Sequence, residues 1–304
     1  MQPKKVTFIS SSIITLIVSC VVSACVENNI MVKPLAYEIK PVIECMITPG
    51  KKPRLYLNTT VAYFDKKIDN KDLNIKNARV TIDSPFGTDI LKEDSVFNLF
   101  SCQYDYFYQG DNLIEKNVTY HLTVKTMGGI FTAQTTTNLS TVTITSVSYA
   151  SQFNDIYGEH EGVIVDFNDI PGQENYYRYQ MNRMIDSTVT YGQNKAYSNC
   201  TNGSFFHVSE IGRSTYKDKN QDGLPFEIVV EPAFKHAEDQ VAYVSIQTID
   251  RNAAEFYDAL DRQKLALLNP FVEPVFLRSV QFKDAIGIFG NYVLSDSVKF
   301  IYPE

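Results

Sequence analysis

The run VTYHLTVKTMGGIFTAQTTT, Val118 to Thr137, sets two strand-like segments around Met127-Gly128-Gly129. A glycine pair between such segments is a strong short-range hairpin signal, because the tight turn needs residues that tolerate positive φ. The spacing predicts strands over 118–126 and 130–137. Towards the N-terminus, Ala78 to Asp83 reads as a strand stopped by Ser84-Pro85-Phe86-Gly87. In Arg54 to Val61, Leu55, Leu57, Thr59 and Val61 alternate with Arg54, Tyr56 and Asn58, the period of a half-buried strand. Glu38 to Thr48 reads as a first strand closed by Pro49-Gly50, and the charged Lys66 to Lys76 reads as a loop.

Towards the C-terminus the pattern restarts. Val142–Tyr149, Gly162–Phe167, Tyr176–Met184, Pro225–Glu231 and Val241–Ile249 all read as strands. Asn252 to Leu268 departs from this. Phe256, Leu260 and Leu267 recur near helical spacing, Asn252 and Glu255 form a capping-box pattern, and Asn269-Pro270 ends the segment. Val275 to Tyr302 returns to strand, with Gly287 and Gly290 expected as bends. Short strands separated by turn residues predict a mainly β chain. The expected architecture is two immunoglobulin- or fibronectin-like β-sandwich domains, over 36–140 and 141–304, with one helix inserted near the end of the second.

The N-terminus reads differently. Lys4 and Lys5 precede an apolar run, and Val22-Ser23-Ala24-Cys25 closes it with small residues before a cysteine. That is the pattern of a bacterial lipoprotein signal peptide: small residues fit the processing cleft, and the Cys25 thiol carries the lipid. Several Ser and Thr interrupt the run, and Glu27 follows where a stop-transfer segment would place basic residues, so it reads as targeting over 1–24 rather than as a span. Residues 25–35 then form a polar tether. Several acyl chains on one cysteine hold a domain on a membrane far more firmly than one.

The formal net charge is −7, and removing Lys4 and Lys5 makes the remainder more acidic still. Such a balance argues against nucleic acid, whose phosphates need Lys and Arg. After processing, Cys45, Cys102 and Cys200 remain; an odd set allows one disulfide and one free thiol, or three thiols. Cys45 and Cys102 share the first expected domain and are the favoured pair.

Several stretches now resemble one family. Val42-Ile43-Glu44-Cys45-Met46-Ile47-Thr48 is similar to the "VVEGWIT" opening strand of a Bacteroidota lipoprotein family catalogued as domain of unknown function 4249. Ala78–Ile82 resembles its "GATVTI" strand, Tyr120–Val124 its "YTLTV" strand, and Asn175–Tyr179 its "ENYYR" strand. Phe256-Tyr257, Asn269-Pro270-Phe271, Glu273-Pro274 and Gly287–Gly290 resemble its helix, its "NPF-EP" turn and its "GLGIFGAY" tail. Cys45 departs from the family's usual Gly, and 200–222 is only loosely similar. The resemblance implies an outer-membrane lipoprotein, often encoded beside TonB-dependent receptors, and hence a non-enzymatic accessory or binding subunit of such a receptor. The rival readings are a surface adhesin or structural lipoprotein, and a hydrolase whose site assembles only in space.

Candidate sites are few. Asp218-Lys219-Asn220-Gln221-Asp222-Gly223 is the first half of a calcium loop, where Asp218, Asn220 and Asp222 would offer alternate oxygens; the Glu such a loop needs at its twelfth position is here Val229. Phe97 to Tyr108 is dense in rings, and Tyr104, Tyr106, Phe107 and Tyr108 are candidates for ligand or partner contact, against the reading that alternate rings fill the core. Asp94-Ser95-Val96, Asp186-Ser187-Thr188 and Asp296-Ser297-Val298 resemble the acceptor pattern for O-glycosylation in Bacteroidota, which marks Ser95, Ser187 and Ser297. No nucleophile elbow, HExxH helix, P-loop or dinucleotide fingerprint is present. No cofactor beyond calcium is suggested.

Overall fold

The computed structural model describes residues 38–62, 69–99, 101–155, 158–186, 200, 205–212, 214–219, 222–234, 236–268, 277 and 281–303. Cys25, the signal and tether readings, Ser187 and Asn220 lie outside them. Residues 39–304 belong to one compact unit.

The first half is built from hairpins. β1 (Pro41–Ile47) and β2 (Arg54–Thr59) pair antiparallel through the Pro49-Gly50 turn, where Gly50 takes φ +77°. A one-turn helix, α1 (Asn70–Leu73), occupies part of the segment read as loop; a charged run without apolar period gives no sign of it. β3 (Arg79–Ser84) and β4 (Gly87–Asn98) follow, then β5 (Gln103–Gln109). The Gly-Gly hairpin forms as read: β6 (Thr119–Thr126) and β7 (Gly129–Thr136) pair from Thr119↔Thr136 to Thr126↔Gly129. At its tip Gly128 N–H donates to Thr126 Oγ1 at 3.0 Å.

The second half carries β8 (Ile144–Asp155), β9 (Gly158–Asn168), β10 (Tyr176–Asp186), β11 (Phe205–Ile211), β12 (Tyr216–Lys217), β13 (Pro225–Val230) and β14 (Val241–Ile249). α2 (Arg251–Leu268), β15 (Ile286–Leu294) and β16 (Val298–Ile301) complete it. A three-stranded sheet, β13-β9-β8, lies apart from a long path running β11-β10-β14-β15-β1-β2-β5-β4-β3-β6-β7.

Alternation decides where the cores form. Ile43, Cys45, Ile47, Leu55 and Leu57 bury against Val80, Ile82, Leu122 and Val124, so the first half closes into two layers with β4 common to both. In the second half Val163, Val165, Phe167 and Ile228 of the small sheet bury against Tyr177, Tyr179, Met181, Val244 and Ile246. The chain is mainly β and sandwich-like; the first core is drawn mostly from residues before 140 and takes in Phe282, Ala285 and Phe289 from the far end of the chain. The sheet itself does not end near residue 140: β15 runs parallel to β1, from Val42↔Ile286 to Ile47↔Asn291, and Phe289 enters the first core.

That parallel pair explains both tail glycines, which are not bends. Gly287 and Gly290 lie inside β15. A Cβ on Gly287 would stand 1.8 Å from the Ile43 carbonyl oxygen, and its φ of +139° disfavours any side chain. A Cβ on Gly290 would meet Met46 Sδ at 2.9 Å and Ala253 Cβ at 3.0 Å.

The helix begins one residue earlier than expected and has a different cap. Asp250, not Asn252, accepts the Ala253 N–H at 2.8 Å, while Glu255 accepts from Arg251 Nε at 2.8 Å. The other Asp250 oxygen accepts from Asn291 N–H (2.6 Å), Asn291 Nδ2 (2.9 Å) and Thr135 Oγ1 (3.0 Å), joining α2, β15 and β7. Burial raises the Asp250 carboxyl above its usual range, and these donors oppose that rise.

The disulfide expectation is corrected. Cys102 bonds to Cys200, 98 residues away, and Cys45 is a buried free thiol. Cys45 points into the core from β1, where burial pushes its thiol up strongly, whereas Cys102 sits at the open turn between β4 and β5. Proximity in sequence misled here, because residue 102 projects away from the core that holds residue 45.

Candidate functional site

The acidic loop of the second half assembles from three places. Asp169 follows β9, Asp218 follows β12, and Asp222 precedes β13; their carboxylate oxygens lie within 4.8 Å of one another. Gly223 takes φ +69°, the left-handed turn that the sixth position of a calcium loop needs. Val229 at the twelfth position is committed to the ladder with Ile164. The third carboxylate comes from Asp169 instead, separated from Asp218 by the whole of β10 and β11, which no local pattern could reveal.

The hydrogen bonds say what this cluster does structurally. Asp169 Oδ1 accepts from the Tyr177 hydroxyl and from Asn175 Nδ2 at 3.3 Å, and its Oδ2 from Gly223 N–H at 2.8 Å. Asp218 Oδ2 accepts from Asn175 N–H at 3.0 Å, and Asp222 Oδ1 from Gly172 N–H at 2.7 Å. The β9–β10 and β12–β13 loops are thereby tied together. Among the described residues, one oxygen each on Asp218 and Asp222 carries no protein hydrogen bond. Burial, then the charges of Asp169, Glu174 and Asp222, raise the Asp218 carboxyl, while the Asn175 N–H opposes them. A divalent cation fits this donor set chemically, and calcium's six to eight oxygens exceed the three carboxylates that the described residues supply.

The aromatic stretch divides in two. Phe107 and Tyr108, read as contact candidates, are buried and leave the surface. The Arg54 guanidinium lies 3.9 Å from the Phe107 ring centroid, and the Tyr108 hydroxyl accepts from Ala78 N–H at 3.1 Å and lies 2.8 Å from the Ile75 carbonyl. Tyr104 is exposed and Tyr106 half-buried. Tyr104 packs edge-on against Phe97 with centroids 5.1 Å apart, and lies 6.3 Å from Tyr106. Around the same turn Val96 and Leu99 are also exposed, so the tip of the β4–β5 ribbon presents apolar groups outside the core. The switch has a simple cause: Tyr108 and Gln109 pair with Leu55 and Arg54 of β2, and towards the tip, before residue 108, that pairing has ended.

Of the glycosylation candidates, Ser95 and Ser297 are exposed. Ser95 lies within β4, opposite Tyr106, rather than in a loop. Ser297 lies in the link between β15 and β16.

No helix among the described residues is long and apolar enough to cross a membrane. No curated protein matches the chain. A family model described as "Domain of unknown function (DUF4249)" matches residues 32–293, most of the chain. The chain therefore belongs to the DUF4249 family.

Proposed function

We propose that this protein is an exported, lipid-anchored outer-membrane lipoprotein that serves as a non-enzymatic binding or accessory subunit, held through Cys25 and paired with a TonB-dependent receptor. The observation that carries the export half is the Cys102–Cys200 bond: disulfides persist in oxidising compartments and are rare in the bacterial cytosol. The Val22-Ser23-Ala24-Cys25 sequence supports lipid attachment in the same direction. The exposed tip of the β4–β5 ribbon, with Phe97 and Tyr104, supports a role in contact, since clustered exposed apolar side chains mark interaction surfaces.

The test is a mild-detergent purification of the native lipoprotein from its own membranes, with bound proteins identified by mass. A stoichiometric β-barrel receptor is the expected result. A protein that purifies alone sinks the subunit reading and favours an adhesin. Metabolic labelling with a fatty acid tests the anchor separately: label on the native chain and none on Cys25→Ala is expected, and label on both overturns it.

A further inference from the structure

The two faces of the β11-β10-β14-β16 sheet are treated unequally. The inner face meets the small sheet through Tyr177, Tyr179, Met181, Ala242, Val244 and Phe300. On the outer face α2 covers one end, packing on Tyr176 of β10, Ile249 of β14 and Tyr292 of β15. At the other end of that face Met184, Val241, Tyr243 and Ile301 all point out, and Phe205 beside them is 67% exposed. Met184, Val241, Tyr243 and Phe205, with Asp186 and Lys299, line a shallow trough of about 540 Å³. An outward sheet row this apolar costs free energy in water and marks a contact surface.

The register shows what it fits. Ala242 pairs with Arg183 on one side, and Val241 with Ile301 on the other. One pair past Arg183 and Ala242, Met184 comes beside Val241, and β10 runs on to Asp186, which lies one strand to one side of Val241 and two positions along. Lys299, opposite Tyr243, lies one strand to the other side and two positions the other way. The acid and the base are therefore symmetric about Val241. Such an arrangement suits an isologous interface, in which each contact is made twice with the partners exchanged. We propose that this end of the outer face is the contact of a symmetric homodimer.

A two-fold axis lying in the plane of the face and passing through Val241 sets Val241 against its own copy. The same axis brings each Asp186 to the other copy's Lys299 and each Met184 towards the other copy's Tyr243. On a chain of net charge −7 most self-contacts set acid against acid; here an acid meets a base. This inference does not depend on the lipoprotein reading.

The test uses residues 39–304, which contain both cores, and measures mass by light scattering at about 100 µM, where a micromolar Kd is saturated. A dimer is expected. Lys299→Asp alone and Asp186→Lys alone should each raise the dimer Kd at least about tenfold, and the combined charge exchange should restore it to within about threefold. Val241→Asp should give monomer at every concentration, with an unchanged melting temperature showing that the exposed substitution leaves the fold intact. A monomeric parent chain overturns the proposal. So does a dimer indifferent to Lys299→Asp, or one that the charge exchange fails to rescue. A monomer whose Val241→Asp variant loses a receptor in the membrane purification assigns the face to that receptor and likewise overturns self-association.

Discussion

Arg183 gives the sharpest test of how the second core is held. Its side chain is fully buried on β10, with Nε 2.7 Å from Glu210 Oε2 and Nη2 3.0 Å from Glu210 Oε1 on the adjacent β11. Nη1 donates to Gln240 Oε1 at 3.0 Å, and Nη2 also to the Phe234 carbonyl. Glu210 Oε1 accepts one more bond, from Ala233 N–H at 2.9 Å. Arg183→Met keeps much of the stem volume but strands the Glu210 carboxylate, at about 3–5 kcal/mol; Glu210→Leu strands the guanidinium at a similar cost. If the two losses were independent, the double variant would lose about 6–10 kcal/mol, comparable with the whole stability of an ordinary domain. The geometry says otherwise. With both charges gone, the remaining costs are the lost bonds to the Ala233 N–H and to Gln240 Oε1, about 1–3 kcal/mol each. The double variant should therefore be no less stable than either single one, with a coupling energy of at least about 2 kcal/mol. Urea unfolding of the four proteins measures this from midpoints and slopes. Single variants costing under about 1 kcal/mol, or a double variant additive to within about 0.5 kcal/mol, would refute the pairing as the source of stability.

Three further predictions follow from the geometry. Replacing Cys102 and Cys200 by serine frees a 98-residue loop, which in the chain-entropy model removes about 4.7 kcal/mol; an unfolding midpoint unmoved by reductant would contradict it. Gly287→Ala forces a Cβ onto the Ile43 carbonyl at positive φ and should cost more than about 3 kcal/mol, whereas Gly172→Ala, with φ +84° but open space around it, should cost about 1–2 kcal/mol; equal losses in thermal melts would show that the parallel β1–β15 approach is not the cause. The raised Asp218 carboxyl destabilises the fold when ionised. An acid raised on folding contributes most stability below its unfolded range and loses it as pH climbs through the folded value. In chelator, Asp218→Asn should therefore melt higher than the parent at pH 7, with the gap closing under acid conditions. Calcium at millimolar levels should raise the parent's melting temperature and leave the variant's unchanged; a parent that melts higher than Asp218→Asn in chelator would be the contrary result.

The Gly-Gly hairpin, the Leu55–Leu57 alternation and the helix after residue 250 were legible because each depends on neighbours in sequence. A turn needs its own glycines, and a strand or helix face repeats every two or nearly four residues. Such patterns also carried the family resemblance. They misplaced what depends on distant partners. Asp250 looks like an ordinary acid until Asn291 and Thr135 are beside it. Gly287 reads as a bend until the parallel approach of β1 shows why no Cβ fits. Cys45 and Cys102 look like natural partners until one faces the core and the other an open turn.

Local chemistry thus settled, from the sequence alone, that the chain is mainly β and where its main hairpin turns, and it supplied the lipoprotein reading of the N-terminal run as an expectation. Tertiary structure decided which carboxylates meet, which ring residues stay outside, and that one sheet runs from β11 to β7 across both halves. The reason is physical. Turn and strand preferences act over a few residues, whereas Asp169 meets Asp218 and β15 meets β1 only after long loops have closed and side chains have been sorted between the inside and outside of the sheets.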